Sequence, residues 1–158
     1  MDDRAAGQGF GRRLIRLGIW LFLLGLITGL AVPALANPRM GLSSHLEGVM
    51  NGIFLVVLGL VWPRLRLSRS ASLAAFCVAV YGTYVNWATT LAAAAWGAGA
   101  PMMPIAGLGH QGTRLQEGIV GFGLVSLALA MIATCVIVLW GLRGADDPEY
   151  AVSPQRQG

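Results

Sequence analysis

Side chains that can take part in chemistry are few in this chain, and four of them lie within or beside apolar segments. His45, Glu47 and Asn51 are close together in the sequence, and Asn86 lies in a later apolar segment. A carboxyl group can transfer a proton, an imidazole can transfer a proton or bind a metal, and an amide can orient a bound molecule. The sequence therefore predicts a polar pocket lined by these four residues.

The same residues also have simpler interpretations. Ser44-x-x-Glu47 has the form of a helix capping box, and Thr113-x-x-Gln116 is its counterpart later in the chain. An acid in the first turn of a helix also suits the helix dipole. A lone histidine at a membrane interface is commonly a solvated or capping residue. His45 and Asn51 lie about 120° apart on an ideal helix, so they can line two sides of one pocket without being stacked.

The third apolar segment carries a polar stripe at spacings of three and four around Asn86. Its members are Gly82, Thr83, Asn86, Thr89 and Thr90. Polar side chains at this depth normally face the interior of a helix bundle. The stripe is equally consistent with interhelical hydrogen bonds, although an amide needs more partners than a hydroxyl does.

The segments that carry these residues are long and apolar. The chain has 158 residues, 56% of them hydrophobic and 11% charged, whereas a soluble domain has about a quarter charged residues. Four stretches can span a bilayer, approximately residues 14–35, 44–62, 71–96 and 117–142. The predicted fold is an all-α integral membrane bundle of four transmembrane helices, with the membrane domain at residues 14–142. Residues 1–13 are predicted to be a mobile cytoplasmic tail and residues 143–158 a disordered cytoplasmic tail.

Arginine is distributed unevenly between the two sides of this membrane domain. Most arginines before the first span, between the second and third spans, and after the fourth span fall on one side, whereas Arg39 and Arg114 fall on the other. The positive-inside rule then places both termini in the cytoplasm of a multi-pass protein of the bacterial inner membrane. The net charge of +4 follows from this asymmetry and does not indicate a nucleic-acid partner.

Two further patterns concern helix packing. Gly18, Gly25 and Gly29 share one helix face, and Gly48, Gly52 and Gly59 share another. Such faces favour close helix approach, either within a tight bundle or between copies in an oligomer. The matching surroundings of Glu47 and Glu117 further suggest two repeated two-helix units. Residues 36–43 are predicted to be a short loop, and the apolar loop at 97–112 to lie on the bilayer surface or to fold back as a lid.

Residues 39–52 (RMGLSSHLEGVMNG) and 84–87 (YVNW) resemble the signature of hydroxylaminobenzene mutases, which are related to the styrene oxide isomerases. The isomerases are trimeric four-helix membrane proteins with haem b at their subunit interfaces. The resemblance implies that His45 is an axial haem ligand and that Asn51 and Asn86 are site residues. Gly82 and Thr90 depart from the isomerases, which have an acid and a tyrosine there, so an epoxide substrate is not favoured.

The resemblance thus implies a homotrimeric isomerase in lipid, acting on a small aromatic substrate. Hydroxylaminobenzene becomes 2-aminophenol as the hydroxyl group moves from nitrogen to the ortho carbon. Either a ferric haem held by His45 is expected to act as the Lewis acid, or Glu47 is expected to donate a proton instead. Asn51 and Asn86 are expected to orient the substrate and stabilise developing charge. Two other functions fit the residues: a non-enzymatic haem-bearing anchor subunit, with His110 as a possible second ligand, and a small transporter with Glu47 as its proton-coupling acid.

Overall fold

Long helices make up most of the computed structural model, which describes residues 3–143. The long helices are α1 (Asp3–Ala31), α2 (Pro38–Val61), α3 (Arg69–Trp96) and α5 (Arg114–Leu142), with a short α4 (Pro104–Gly107) between the last two. Single 3₁₀ turns follow α1 and α2, at Val32–Ala34 and Trp62–Arg64. Each long helix is apolar and long enough to cross a membrane. The predicted four-helix membrane bundle is confirmed.

The first helix begins earlier than expected. It is helical from Asp3, so residues 3–13 continue the membrane helix instead of preceding it. Phe10 packs against Trp62 and Phe76, with ring centroids 6.2 and 5.2 Å away. This aromatic contact fixes the amino-terminal part of α1 to α2 and α3. The predicted tail at 143–158 lies outside the described residues, apart from Arg143.

The second helix also begins earlier, and this corrects the capping interpretation of Glu47. Asn37 is the N-cap of α2, since its side chain accepts a hydrogen bond from the Met40 amide, and Pro38 occupies the first turn. Ser44 and Glu47 therefore lie inside α2, and the predicted loop at 36–43 is mostly helix. The capping box predicted at Thr113 and Gln116 is confirmed.

The two glycine faces meet each other within one chain, between α1 and α2. A Cβ atom at Gly48 would lie 2.5 Å from the Gly25 Cα, and one at Gly18 would lie 2.6 Å from the Gly52 carbonyl oxygen. Both distances are far below ordinary carbon contacts of about 3.5–4.0 Å. These glycines allow two backbones to touch, as small-residue faces do in membranes. They are used inside the bundle and therefore give no support for an oligomer contact.

Helix α3 lies at the centre of the arrangement, with α2 on one side and α5 on the other. One apolar core joins α1, α2 and α3 near their cytoplasm-predicted ends; it contains Leu14, Leu21, Leu55, Leu58, Trp62, Ala75 and Ala79. A second core lies at the opposite end and contains Met40, Ala93, Ala94, Ala98 and Val120. The polar residues of interest lie between these two cores.

The connection between α3 and α5 folds back over the start of α2. Asn37 is 1% exposed, and its Nδ2 donates to the carbonyl oxygens of Ala106 and Gly107 at 2.9 and 3.3 Å. Glu117 accepts hydrogen bonds from the Gly99 and Gly112 amides, each at 2.8 Å. One side chain from α2 and one from α5 thus hold both ends and the middle of the loop.

Candidate active site

A carboxylate and two amides meet between α2 and α3. Asn51 Nδ2 donates to Glu47 Oε2 at 3.2 Å, and Asn86 Nδ2 donates to the same oxygen at 2.5 Å. Asn51 is buried, whereas Glu47 and Asn86 are half-buried. Both hydrogen bonds use Oε2, so within residues 3–143 the Oε1 atom has no hydrogen-bond partner. The site therefore presents one free carboxyl oxygen and two amide oxygens.

The register of α3 against its neighbours places Asn86 opposite Glu47. Ser44 Oγ donates to the Trp87 carbonyl oxygen at 3.1 Å, which joins α2 to α3. Trp87 Nε1 donates to Thr28 Oγ1 at 3.0 Å, which joins α3 to α1. Glycine at position 48 admits the indole, since a Cβ there would lie 2.9 Å from Trp87 Cδ1. Three helices are thereby locked together one residue away from Asn86.

The polar stripe on α3 is divided between two roles. The hydroxyls of Thr83 and Thr90 donate to carbonyl oxygens one turn earlier in their own helix, so they make no interhelical bond. Thr89 packs against Gly123 of α5. Asn86 is the member of the stripe whose side chain donates to another helix. Interhelical hydrogen bonding, the simpler interpretation, is therefore wrong for Thr83 and Thr90 and holds for Asn86, whose partner is an acid.

His45 lies on the other side of α2. Its Nδ1 is 2.8 Å from the Gly25 carbonyl oxygen of α1. A carbonyl oxygen can only accept, so Nδ1 carries the proton and Nε2 keeps its lone pair. Gly29 faces the ring at close range, since a Cβ there would lie 2.7 Å from Nδ1. The backbone of α1 therefore fixes both the tautomer and the orientation of the imidazole.

The sequence predicted a single pocket, but the structure has two polar sites on α2, one at His45 and one at Glu47. Residues 45 and 47 lie about 200° apart around an ideal helix, so one side chain faces α1 and the other faces α3. No hydrogen bond joins His45 to Glu47, Asn51 or Asn86 in the described part of the chain. The structure brings the three catalytic candidates together and places the candidate metal ligand apart from them.

His45 has the hydrogen-bonding environment that is typical of a metal-binding histidine. Metal-binding histidines usually donate their second ring N–H to a carbonyl or carboxylate, which orients the ring and raises its basicity. His45 makes that bond to Gly25, and its ring is half-buried. The lone pair of Nε2 is therefore the one available to a metal. These residues fit a haem bound on one face through His45.

Three structural residues were missed or undervalued from the sequence. Asn37 holds the loop, Gly29 makes room for the imidazole, and Trp87 connects three helices. The Asn37-Pro38 pair was a readable helix-start signal. Glu117 is not equivalent to Glu47, because it lies in the first turn of α5 and binds the loop backbone.

Comparison with known proteins identifies the family to which the chain belongs. The sequence profile described as styrene oxide isomerase matches residues 10–143. The chain is 62% identical over 134 residues to hydroxylaminobenzene mutase HabB of Ectopseudomonas oleovorans, covering 85% of this chain and 82% of that protein. It is 50% identical over 129 residues to hydroxylaminobenzene mutase HabA of the same organism, covering 82% and 96%. No solved structure matches. A chain with this profile, four membrane-spanning helices and these relatives belongs to the styrene oxide isomerase family.

Proposed function

We propose that this protein is a membrane isomerase that rearranges hydroxylaminobenzene-type arylhydroxylamines to 2-aminophenols. The observation that carries the proposal is the Glu47 carboxyl group, which two amides hold by one oxygen while the other stays free. Two close relatives named hydroxylaminobenzene mutases support the substrate class. Membership of an isomerase family favours this function over an anchor subunit or a transporter.

The reaction is redox-neutral and needs proton movement. The N–O bond breaks, a C–O bond forms at the ortho carbon, the ring loses a proton there, and the nitrogen gains one. The departing oxygen leaves more easily when it receives a proton, which is general acid catalysis. Glu47 Oε1 is the atom that holds the proton to be donated to the departing oxygen. When the C–O bond has formed, the extra proton on that oxygen passes to the nitrogen, and the proton lost from the ring carbon restores the Glu47 acid. No nucleotide or reductant is consumed.

The two asparagines have complementary tasks. Their Nδ2 groups fix Glu47 Oε2, so the carboxyl group cannot turn away from the substrate. Their Oδ1 atoms accept hydrogen bonds from the substrate N–H or O–H and stabilise positive charge that develops on nitrogen. The surrounding apolar helices exclude water, which would otherwise capture the electron-poor ring.

We also propose that His45 holds haem b in a homotrimer, with both termini in the cytoplasm of a bacterial inner membrane. The protonation of His45 Nδ1 and the space at Gly29 support the ligand assignment. Bound haem would supply Lewis-acid chemistry that can polarise an N–O bond. The partly exposed edge of Glu47 and Asn86 is consistent with a second copy covering the site.

The test is conversion of hydroxylaminobenzene to 2-aminophenol by purified protein without added cofactors. Glu47→Gln keeps the shape of the side chain and removes the acid, so we expect turnover to fall by about 100-fold or more, the usual range for a general acid. Substrate carrying heavy oxygen in the N–OH group should give labelled 2-aminophenol. Absence of any product would refute the function, and product containing only solvent oxygen would refute intramolecular transfer.

A further inference from the structure

A groove opens where the α3–α5 loop folds over α2. Arg39 and Ser43 of α2 form one side, and residues 102–106 of the loop form the other, enclosing about 420 Å³. Its apolar lining includes Met102, Met103 and Ile105, and Met102 and Ile105 are 50% and 76% exposed. The groove therefore opens at the edge of the bundle.

The groove lies on the same face of α2 as the Glu47 site. Arg39, Ser43 and Glu47 follow one another at intervals of four residues, and Asn51 comes next. Residues spaced by four lie on the same face of a helix, with about 6 Å of axial rise between them. Ser43 of the groove is thus one helical turn from Glu47, on the same face of α2.

The loop side of the groove is held in place by polar contacts. Asn37 binds the carbonyls of Ala106 and Gly107, and Glu117 binds the amide of Gly99. Met102 reaches α5, where its Cγ lies 3.9 Å from the position that a Cβ would take at Gly121. These contacts hold the loop in a fixed shape between α2 and α5, so the groove can discriminate between ligands.

The size and surface of the groove suit a small arene. An apolar cavity of about 150 Å³ is enough for benzene, so the space beside Ser43 can hold one substituted ring. Methionine side chains are polarisable and make favourable contacts with aromatic rings. We propose that this groove is the subsite through which the arylhydroxylamine enters from the bilayer and where its ring is held before it reaches Glu47. This inference rests on the proposed function.

Ser43→Phe tests the groove by filling it. Within residues 3–143 the Ser43 side chain bonds only to the Arg39 carbonyl of its own helix, so the larger side chain should not disturb folding. We expect KM for hydroxylaminobenzene to rise about fivefold or more while kcat stays within about twofold, the pattern for lost uniform binding. Leu42→Phe is the matched control: Leu42 is 51% exposed, at the same depth and about 100° away around the helix. It should leave KM unchanged.

The result separates this inference from the proposed function. Wild-type protein that makes no 2-aminophenol would refute the function. Active wild type with an unchanged KM in Ser43→Phe, or an equal rise in Leu42→Phe, would overturn the groove as the entry subsite.

A second measurement does not depend on turnover. Ser43→Cys is placed in a background in which the exposed Cys77 and Cys135 are replaced by alanine, and its reaction with a maleimide is followed with and without aniline. We expect aniline, an unreactive analogue, to slow labelling at position 43 and to leave labelling of a Leu42→Cys control unchanged. Failure to label position 43, or labelling that aniline does not slow, would overturn the proposal.

Discussion

Replacement of Gly29 by alanine tests the environment of His45 with the smallest possible change. The added Cβ would lie 2.7 Å from His45 Nδ1, 3.0 Å from Cε1 and 3.2 Å from Cγ. Ordinary contacts between such atoms are about 3.5–4.0 Å, so the ring must retreat by about 0.8 Å or more. Nδ1 is now 2.8 Å from the Gly25 carbonyl oxygen. A movement of the ring by that amount away from the backbone of α1 lengthens the distance between Nδ1 and the Gly25 oxygen to about 3.6 Å, which is no longer a hydrogen bond.

The effect on folding and the effect on haem binding should differ. Loss of the hydrogen bond lowers the free energy of unfolding by about 0.5–1.5 kcal/mol. Alanine in place of a helical glycine raises it by about 0.5–1 kcal/mol. We therefore expect the thermal unfolding temperature of Gly29→Ala to change little. Loss of an outer-shell partner of a metal-binding histidine typically lowers metal affinity by about 10–100-fold. Haem titrations followed by Soret absorbance should show a decrease of that size.

Gly118→Ala is the matched control for Gly29→Ala. A Cβ at Gly118 meets nothing within 4 Å, so this variant should bind haem as the wild type does. Gly29→Ala protein that binds haem with wild-type affinity would refute the proposal that the backbone of α1 orients His45 as a haem ligand. Wild-type protein that shows no Soret band after expression with ample haem would remove His45 as a haem ligand and leave Glu47 as the acid.

Three other predictions follow from the described contacts. Asn86→Ala and Asn51→Ala should each lower kcat by about 10-fold or more through loss of a transition-state contact worth about 1.4 kcal/mol, and an unchanged kcat in both would show that the amides only pack. Glu117→Ala removes two hydrogen bonds to a carboxyl group and should destabilise the loop by about 1.5–3 kcal/mol for each bond; hydrogen exchange at Gly99 and Gly112 measures this, and unchanged protection would contradict it. Reporter fusions should show the carboxyl terminus in the cytoplasm and the loop at 97–112 outside, and a periplasm-active carboxyl-terminal fusion would reverse the topology.

The four membrane helices could be predicted from the sequence, because each must satisfy its own backbone hydrogen bonds with apolar side chains outward. The same applies to the glycine faces, since their spacing alone indicates close helix approach. Glu47, Asn51 and Asn86 were predictable as a polar group because apolar helices seldom carry such residues without a partner. Their hydrogen-bond pattern was not predictable, because it depends on the register of α3 against α2, which Ser44 and Trp87 set.

Helix boundaries and the partners of single side chains were decided by tertiary contacts. Phe10 extends α1 into a polar segment by packing on Trp62, and Asn37 starts α2 early because its amide also holds the distant loop. The distant partners of Phe10 and Asn37 cannot be read from local patterns, although the Asn37-Pro38 pair itself is a local helix-start signal. The angle between positions 45 and 47 followed from helix geometry alone. Only the tertiary structure shows that His45 faces α1 and Glu47 faces α3. The packing of the glycine faces decides this, because it brings α1 close enough for its backbone to accept the imidazole N–H.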